Sequence, residues 1–240
     1  MRRLTYNQPS NQPSQQGFTI IELLIATSVL TVILMLATVM ITSIGNLYYK
    51  GITLSQTQDT VRSITDQLTQ DLQLSDGLPS VPDPATPGNP NINTSYAAGK
   101  TMYSTCVGTT RYSYALDQQI NTDLSHVLWR DNIGSGNTCN PVDLSSATPN
   151  SILSPGTNGT ELIGPKSRLT AFMITVSGTS LYNVKLGVAY GDSDLLAGTD
   201  DSNLLAGSDF NVGCAGSTGD QFCATDRLIT SVIQRLNGSN

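Results

Sequence analysis

The sequence predicts an α+β protein in which one long N-terminal helix packs on an antiparallel β-sheet. Three observations carry that expectation. From Leu23 to Ile44 there is neither a charged residue nor a proline. Beyond it, Leu54, Val61, Ile64, Leu68 and Leu72 recur at threes, fours and sevens, an apolar stripe on an otherwise polar helix. Further on, short alternating segments such as Arg111–Leu116 and Tyr182–Val188 read as half-buried strands.

Residues 1–17 are polar, rich in Gln, Asn, Ser and Pro, with Arg2 and Arg3. They lack the apolar core and small-residue cleavage site of a secretory signal, and are expected to be a leader outside the fold. Residues 18–45 follow as a membrane-spanning helix. At about 1.5 Å per residue the apolar run crosses a hydrocarbon core of roughly 30 Å. Arginines precede the span and the first basic residue after it is Lys50, which predicts the N-terminus inside and the remainder outside.

Residues 46–77 are expected to continue the helix with an amphipathic face. No proline occurs between Phe18 and Leu78, so a single helix is the simplest reading, with a break near Gly51 as its alternative. Asp76-Gly77 is the expected stop. Pro79, Pro82, Pro84, Pro87 and Pro90 then exclude helix and central strand. Residues 78–240 form the expected β-rich head. Its strand candidates are Thr110–Leu116, Ser125–Arg130, Arg168–Val176 and Leu181–Tyr190. The last two are joined by a Ser177–Ser180 turn into a hairpin. A second loop runs from about Asn132 to Gly159, and the tail Asp226–Leu236 fits strand or helix.

Four cysteines, Cys106, Cys139, Cys214 and Cys223, all lie beyond the span, so two disulfides are expected. Three connectivities are open, and sequence neighbours pair most simply. The spacing does not suit a CxxC zinc site. Losing the two leader arginines takes the formal charge from −6 to −8. An acidic head without a basic patch argues against nucleic-acid binding. Arg111, Arg130, Arg168, Arg227 and Arg235 read as ordinary solvated or paired side chains. Asp192, Asp194, Asp200 and Asp201 form a weak calcium candidate whose order does not match an EF-hand loop. No nucleophile elbow, phosphate loop or metal motif supports catalysis. No enzyme and no cofactor are expected, and His126 beside Trp129 reads as structural.

One carboxylate, Glu22, opens the apolar block. An unpaired charge there is costly, so it asks for a partner. The best one is a free α-amino group on Phe18, which exists only if the chain is cut after Gly17. The run Gly17-Phe18-Thr19-Ile20-Ile21-Glu22, followed by an unbroken apolar helix, resembles the processing and N-methylation site of type IV prepilins and pseudopilins. One departure is Gln15-Gln16, where prepilins often carry Lys or Arg. The resemblance implies a pilin fold ending on a strand, cleavage after Gly17 by a prepilin peptidase and N-methylation of Phe18. It also implies that Glu22 meets the Phe18 ammonium of a neighbouring pilin subunit. The partners it implies are other pilins, the peptidase, the membrane and an inner-membrane assembly platform. The subunit would sit first in the cytoplasmic membrane and then in a surface filament.

The head narrows the resemblance through a tyrosine-rich strand, Leu128-Trp129-Arg130-Asp131, Cys139, a hairpin, then Cys214 and Phe222-Cys223-Ala224-Thr225. This order is similar to PilW-like minor pilins and to the J-type pseudopilins of type II secretion. A minor pilin is the expected function. A J-type pseudopilin and a membrane-anchored adhesive ectodomain are the alternatives.

Overall fold

The computed structural model describes residues 17–83, 89–94, 100–145, 159–178, 180–197, 212–216 and 219–235. The leader up to residue 16, Pro84, Pro87, residues 146–158 of the second loop and Leu236 lie outside them. The chain divides into two units after Gly45.

Helix α1 runs Ile20–Leu74, through Gly45 and Gly51, so no break occurs near Gly51. An added β carbon at either glycine would meet nothing within 4 Å. In the first unit α1 is apolar all round and exposed, as a membrane-crossing segment requires. Its threonine and serine hydroxyls, including Thr27, Thr31, Thr38 and Ser43, donate to carbonyls three or four residues back. Each polar group is thereby satisfied inside the helix, the condition a lipid environment sets.

In the second unit, Thr53, Thr57, Val61, Ile64, Thr65, Leu68 and Leu72 form the buried face of α1. The expected stripe is corrected at its start: Leu54 is 41% exposed, and Thr53 and Thr57 take the inward positions. Spacing does not explain this, since Leu54, one heptad before Val61, lies only about 20° from it around a 3.6-residue helix. What covers the helix does: the Gln221 carbonyl meets α1 at Thr53. Small threonines also let the chain approach closely, and their hydroxyls bond within α1 or to Gln221. The helix stops at Leu74, two residues before Asp76, and the Ser75 hydroxyl donates to the Leu72 carbonyl.

Ten strands follow. They are β1 (Ile92–Asn93), β2 (Met102–Val107), β3 (Thr110–Tyr114), β4 (Leu128–Asn132) and β5 (Thr160–Glu161), then β6 (Ser167–Val176), β7 (Leu181–Tyr190), β8 (Leu196–Ala197), β9 (Gly213–Cys214) and β10 (Ala224–Ile233). Strands β1 to β5 make one antiparallel sheet in chain order, β10-β7-β6 a second and β8-β9 a small third. Leu116 makes a lone parallel bridge to Leu169, joining the two larger sheets. The fold is a long helix packed against antiparallel sheets, an α+β pilin-like architecture.

The β6–β7 hairpin lies where the alternation placed it, and the tail is a strand. Three local expectations change. Strand β2 was not anticipated; it pairs with β3 through a tight Gly108-Thr109 turn, with Gly108 at φ 58°. The strand expected at Ser125–Arg130 begins only at Leu128. Asn121 folds back on Leu124, and Ser125 and His126 donate to the Leu144 carbonyl instead of a ladder. Strand β3 ends at Tyr114, and Asp117 turns the chain at φ 52°.

The first sheet is covered on both faces. On one side Val107, Tyr112, Tyr114 and Leu128 join the core with Val61, Ile64, Leu68 and Leu72 of α1 and with Phe172, Val184 and Leu186 of the second sheet. On the other side residues 139–144 form a strap. Val142 and Leu144 pack on Met102, Ala115 and Leu124, with Trp129 at the rim. The strap is tied by Ser104 Oγ to the Cys139 carbonyl (2.6 Å) and by the Val142 N–H to Ser113 Oγ (3.1 Å).

Tyr112 and Tyr114 are wholly buried in this core. Burial, then the hydrogen bond from the Tyr112 hydroxyl to Asp71 (2.5 Å) and that carboxylate's charge, push the Tyr112 phenol well above its ordinary value. Burial does the same to Tyr114. A raised acid pKa means stability that is complete below the unfolded-state value of about 10 and lost as pH rises above it. Alkaline titration of the nine tyrosines should therefore show two steps in phenolate absorbance. Exposed rings titrate first, and Tyr112 and Tyr114 only as the head unfolds. One step with the circular dichroism still native would contradict this.

Candidate functional site

The site foreseen in the sequence is the start of α1. Thr19 stands just before the first helical residue and Glu22 in the first turn. The two residues are reciprocally bonded. The Glu22 N–H donates to Thr19 Oγ1 (3.3 Å), while Glu22 Oε2 accepts from the Thr19 N–H and from its hydroxyl (2.9 Å each). This is a capping box: otherwise orphaned donors at the helix N-terminus gain acceptors, and a carboxylate sits at the positive end of the helix dipole. Sequence reasoning assigned Glu22 an intermolecular partner and missed Thr19. The signal was the Thr-x-x-Glu spacing itself.

Glu22 is exposed, as are Phe18, Ile20 and Ile21, so its carboxylate and its apolar neighbours are presented outward together. Both Thr19 bonds end on Oε2, which leaves room on the carboxylate for a further cation. Gly17 is exposed as well, and an added β carbon there would meet nothing within 4 Å. The fold places no demand for glycine at this position, so whatever demands it lies outside the fold.

The other foreseen residues lie in the head. Cys106 is bonded to Cys139 and Cys214 to Cys223, with Cα separations of 5.9 and 5.8 Å. The first ties strap to sheet across 33 residues, worth about 3–4 kcal/mol as loop-closure entropy. Asp192 precedes the Ser193–Leu195 turn and Asp194 lies within it, both exposed, while Asp200 and Asp201 lie outside the described residues. Among the described residues no group of three His, Cys, Asp or Glu is placed to hold a metal ion.

Two charged clusters went unrecognised in the sequence. Arg111 and Asp131 face each other on β3 and β4 beneath the strap, and both are buried. Arg111 Nε donates to Asp131 Oδ1 (2.9 Å), its second nitrogen meets Oδ2, and its third donates to the Asn140 carbonyl (2.8 Å). On the opposite face Asp71 of α1 accepts from the Tyr112 hydroxyl and from Arg130 at 3.0–3.1 Å, pinning helix to sheet. His126 lies 3.2 Å from Glu161 and edge-on to Trp129. Burial raises the Glu161 carboxyl above its usual range, opposed by N–H donors from Leu128, Ile163 and Val127 and by His126. These contacts anchor β5 and are structural.

Compared with known families, residues 12–38 match the prokaryotic N-terminal methylation motif. The match contains Gly17, Phe18, Thr19 and Glu22. The chain is thus prepilin-like in its N-terminal segment, a type generally made of structural, non-enzymatic proteins. The motif implies processing by prepilin peptidase and assembly with other pilins. Comparison with curated proteins and with solved structures found no match.

Proposed function

We propose that this chain is a minor pilin, a structural subunit of a type IV pilus or related filament. Cleavage after Gly17 frees the Phe18 amine, which is methylated. Before assembly the chain crosses the cytoplasmic membrane once, N-terminus inside and head outside. The assembly platform then moves α1 from lipid into the filament. Apolar surface exchanges lipid neighbours for protein neighbours, and Glu22 meets the Phe18 ammonium of an adjacent subunit.

The observation that supports this best is the methylation motif at the start of a 55-residue helix whose first half buries no residue. The order of motifs in the head favours one other reading, a J-type pseudopilin of a secretion filament. Loss of surface pili on deletion supports the first reading, and loss of secretion with pili intact supports the second.

The processing step has a direct test. Mass spectrometry of the purified protein should give a mature chain beginning at N-methylated Phe18, and Gly17→Phe should leave the full precursor in the membrane. A surface protein that still begins at Met1 would sink the reading.

A further inference from the structure

The turn Asp220–Phe222 packs on α1 within a few residues of the end of the apolar run. The ring of Phe222 lies 5.7 Å from that of Tyr49. The Thr53 hydroxyl donates to the Gln221 carbonyl at 3.4 Å. Lys50 Nζ stands 2.5 Å from Asp220 Oδ2. Gly219, at φ 111°, starts the turn, and the Cys214–Cys223 disulfide closes it.

Despite these contacts the aromatic surface remains open. Phe222 is 47% exposed, Tyr48 65% and Tyr49 52%. Leu23 to Ile44, at about 1.5 Å per residue, uses up a hydrocarbon core of roughly 30 Å. Tyr48 and Tyr49 follow within about one and a half further turns and so reach the headgroup layer, where such rings are enriched. A side chain stacked on Tyr49 shares that depth. The Lys50–Asp220 pair neutralises the turn's carboxylate, whose charge would otherwise oppose approach to an anionic lipid surface.

We propose that the Asp220–Phe222 turn is a membrane-contacting foot of the head. Phe222 joins Tyr48 and Tyr49 in the headgroup layer of the bilayer that α1 crosses before assembly, and the Cys214–Cys223 disulfide holds it there. The foot ties one side of the head to the lipid surface and so limits its rotation about α1. It leaves the lipid when the subunit enters a filament. This rests on the reading that residues 23–44 span the membrane.

The test uses the full chain in vesicles of phosphatidylcholine and phosphatidylglycerol, with and without brominated acyl chains. The one native tryptophan, Trp129, lies in β4 and serves as the background. Bromolipid should remove most of the emission added by Tyr48→Trp and by Phe222→Trp, and leave that added by Ile229→Trp on β10 unchanged. Quenching at Tyr48→Trp with none at Phe222→Trp overturns the foot while sparing the span. Absence of quenching at both overturns the span beneath it. Phe222→Trp emission that escapes bromolipid but shifts as the protein-to-lipid ratio rises assigns the patch to a second copy, and overturns the proposal. Replacing both Cys214 and Cys223 with serine should abolish quenching at Phe222→Trp, and undiminished quenching overturns the role given to the disulfide.

Discussion

Glu22→Ala and Glu22→Gln should both leave the subunit inserted and folded but absent from filaments. Breaking a buried charge pair costs about 3–5 kcal/mol, so incorporation should fall by more than about 100-fold. Insertion itself should become easier, because a charge leaves the apolar segment. The capping box sharpens the experiment. Glutamine at this position can still accept from the Thr19 N–H, so Glu22→Gln retains the cap and loses only the charge. Thr19→Ala does the reverse, removing the hydroxyl and keeping the charge. It should cost only about 1 kcal/mol at the helix end and leave incorporation near normal. The measurement is tagged subunit recovered in sheared filaments against the membrane pool, or filament number if the subunit primes assembly. If Glu22→Gln incorporates normally while Thr19→Ala and Glu22→Ala fail, the role of Glu22 is capping. Normal incorporation of both Glu22 variants would leave it a tolerated residue at the membrane edge.

Asp131→Ala should collapse the head. The side chains of Arg111 and Asp131 are 1% and 0% exposed, so the lost partner leaves a guanidinium with only the Asn140 carbonyl, out of reach of water. The cost of about 3–5 kcal/mol is a large share of the 5–15 kcal/mol that holds a typical domain. Thermal unfolding of the full chain in detergent should show a broad or absent transition, and the subunit should be degraded in cells. Arg111→Met with Asp131→Leu removes both charges at similar volume and should recover much of the loss. Asp71→Asn is the useful contrast. Its partner Arg130 is 36% exposed and water can replace part of the pair, so a loss nearer 1 kcal/mol is expected. Equal losses at Asp71 and Asp131 would refute the assignment of the strap as the element that excludes water.

These two sites differ in how far they could be read from the chain alone. Everything at the N-terminus is local. Gly17, Phe18, Thr19 and Glu22 lie within six residues, and the uncharged run after them extends a single helix. The β6–β7 hairpin is local too, two alternating runs about a short turn. Even the disulfide partners are sequence neighbours among the cysteines.

From the sequence Arg111 reads as an ordinary solvated or paired side chain, because its burial depends on elements far along the chain. Its partner Asp131 comes from the next strand, and its cover comes from residues 139–144. In Arg111–Tyr114 a half-buried strand and a wholly buried one look alike, since alternation says which side chains share a face but not whether both faces are covered. The same holds for α1. Periodicity marked an apolar stripe, but packing chose Thr53 and Thr57 over Leu54, because the Asp220–Phe222 turn, far along the chain, meets α1 at Thr53. Sequence by itself determined the long helix, its uncharged apolar half and the methylation motif at its start, all of which follow from neighbours within a few turns. Only the tertiary structure decided the two-sheet head, its buried ion pair and the aromatic turn beside Tyr49, because burial is a property of what the rest of the chain brings across.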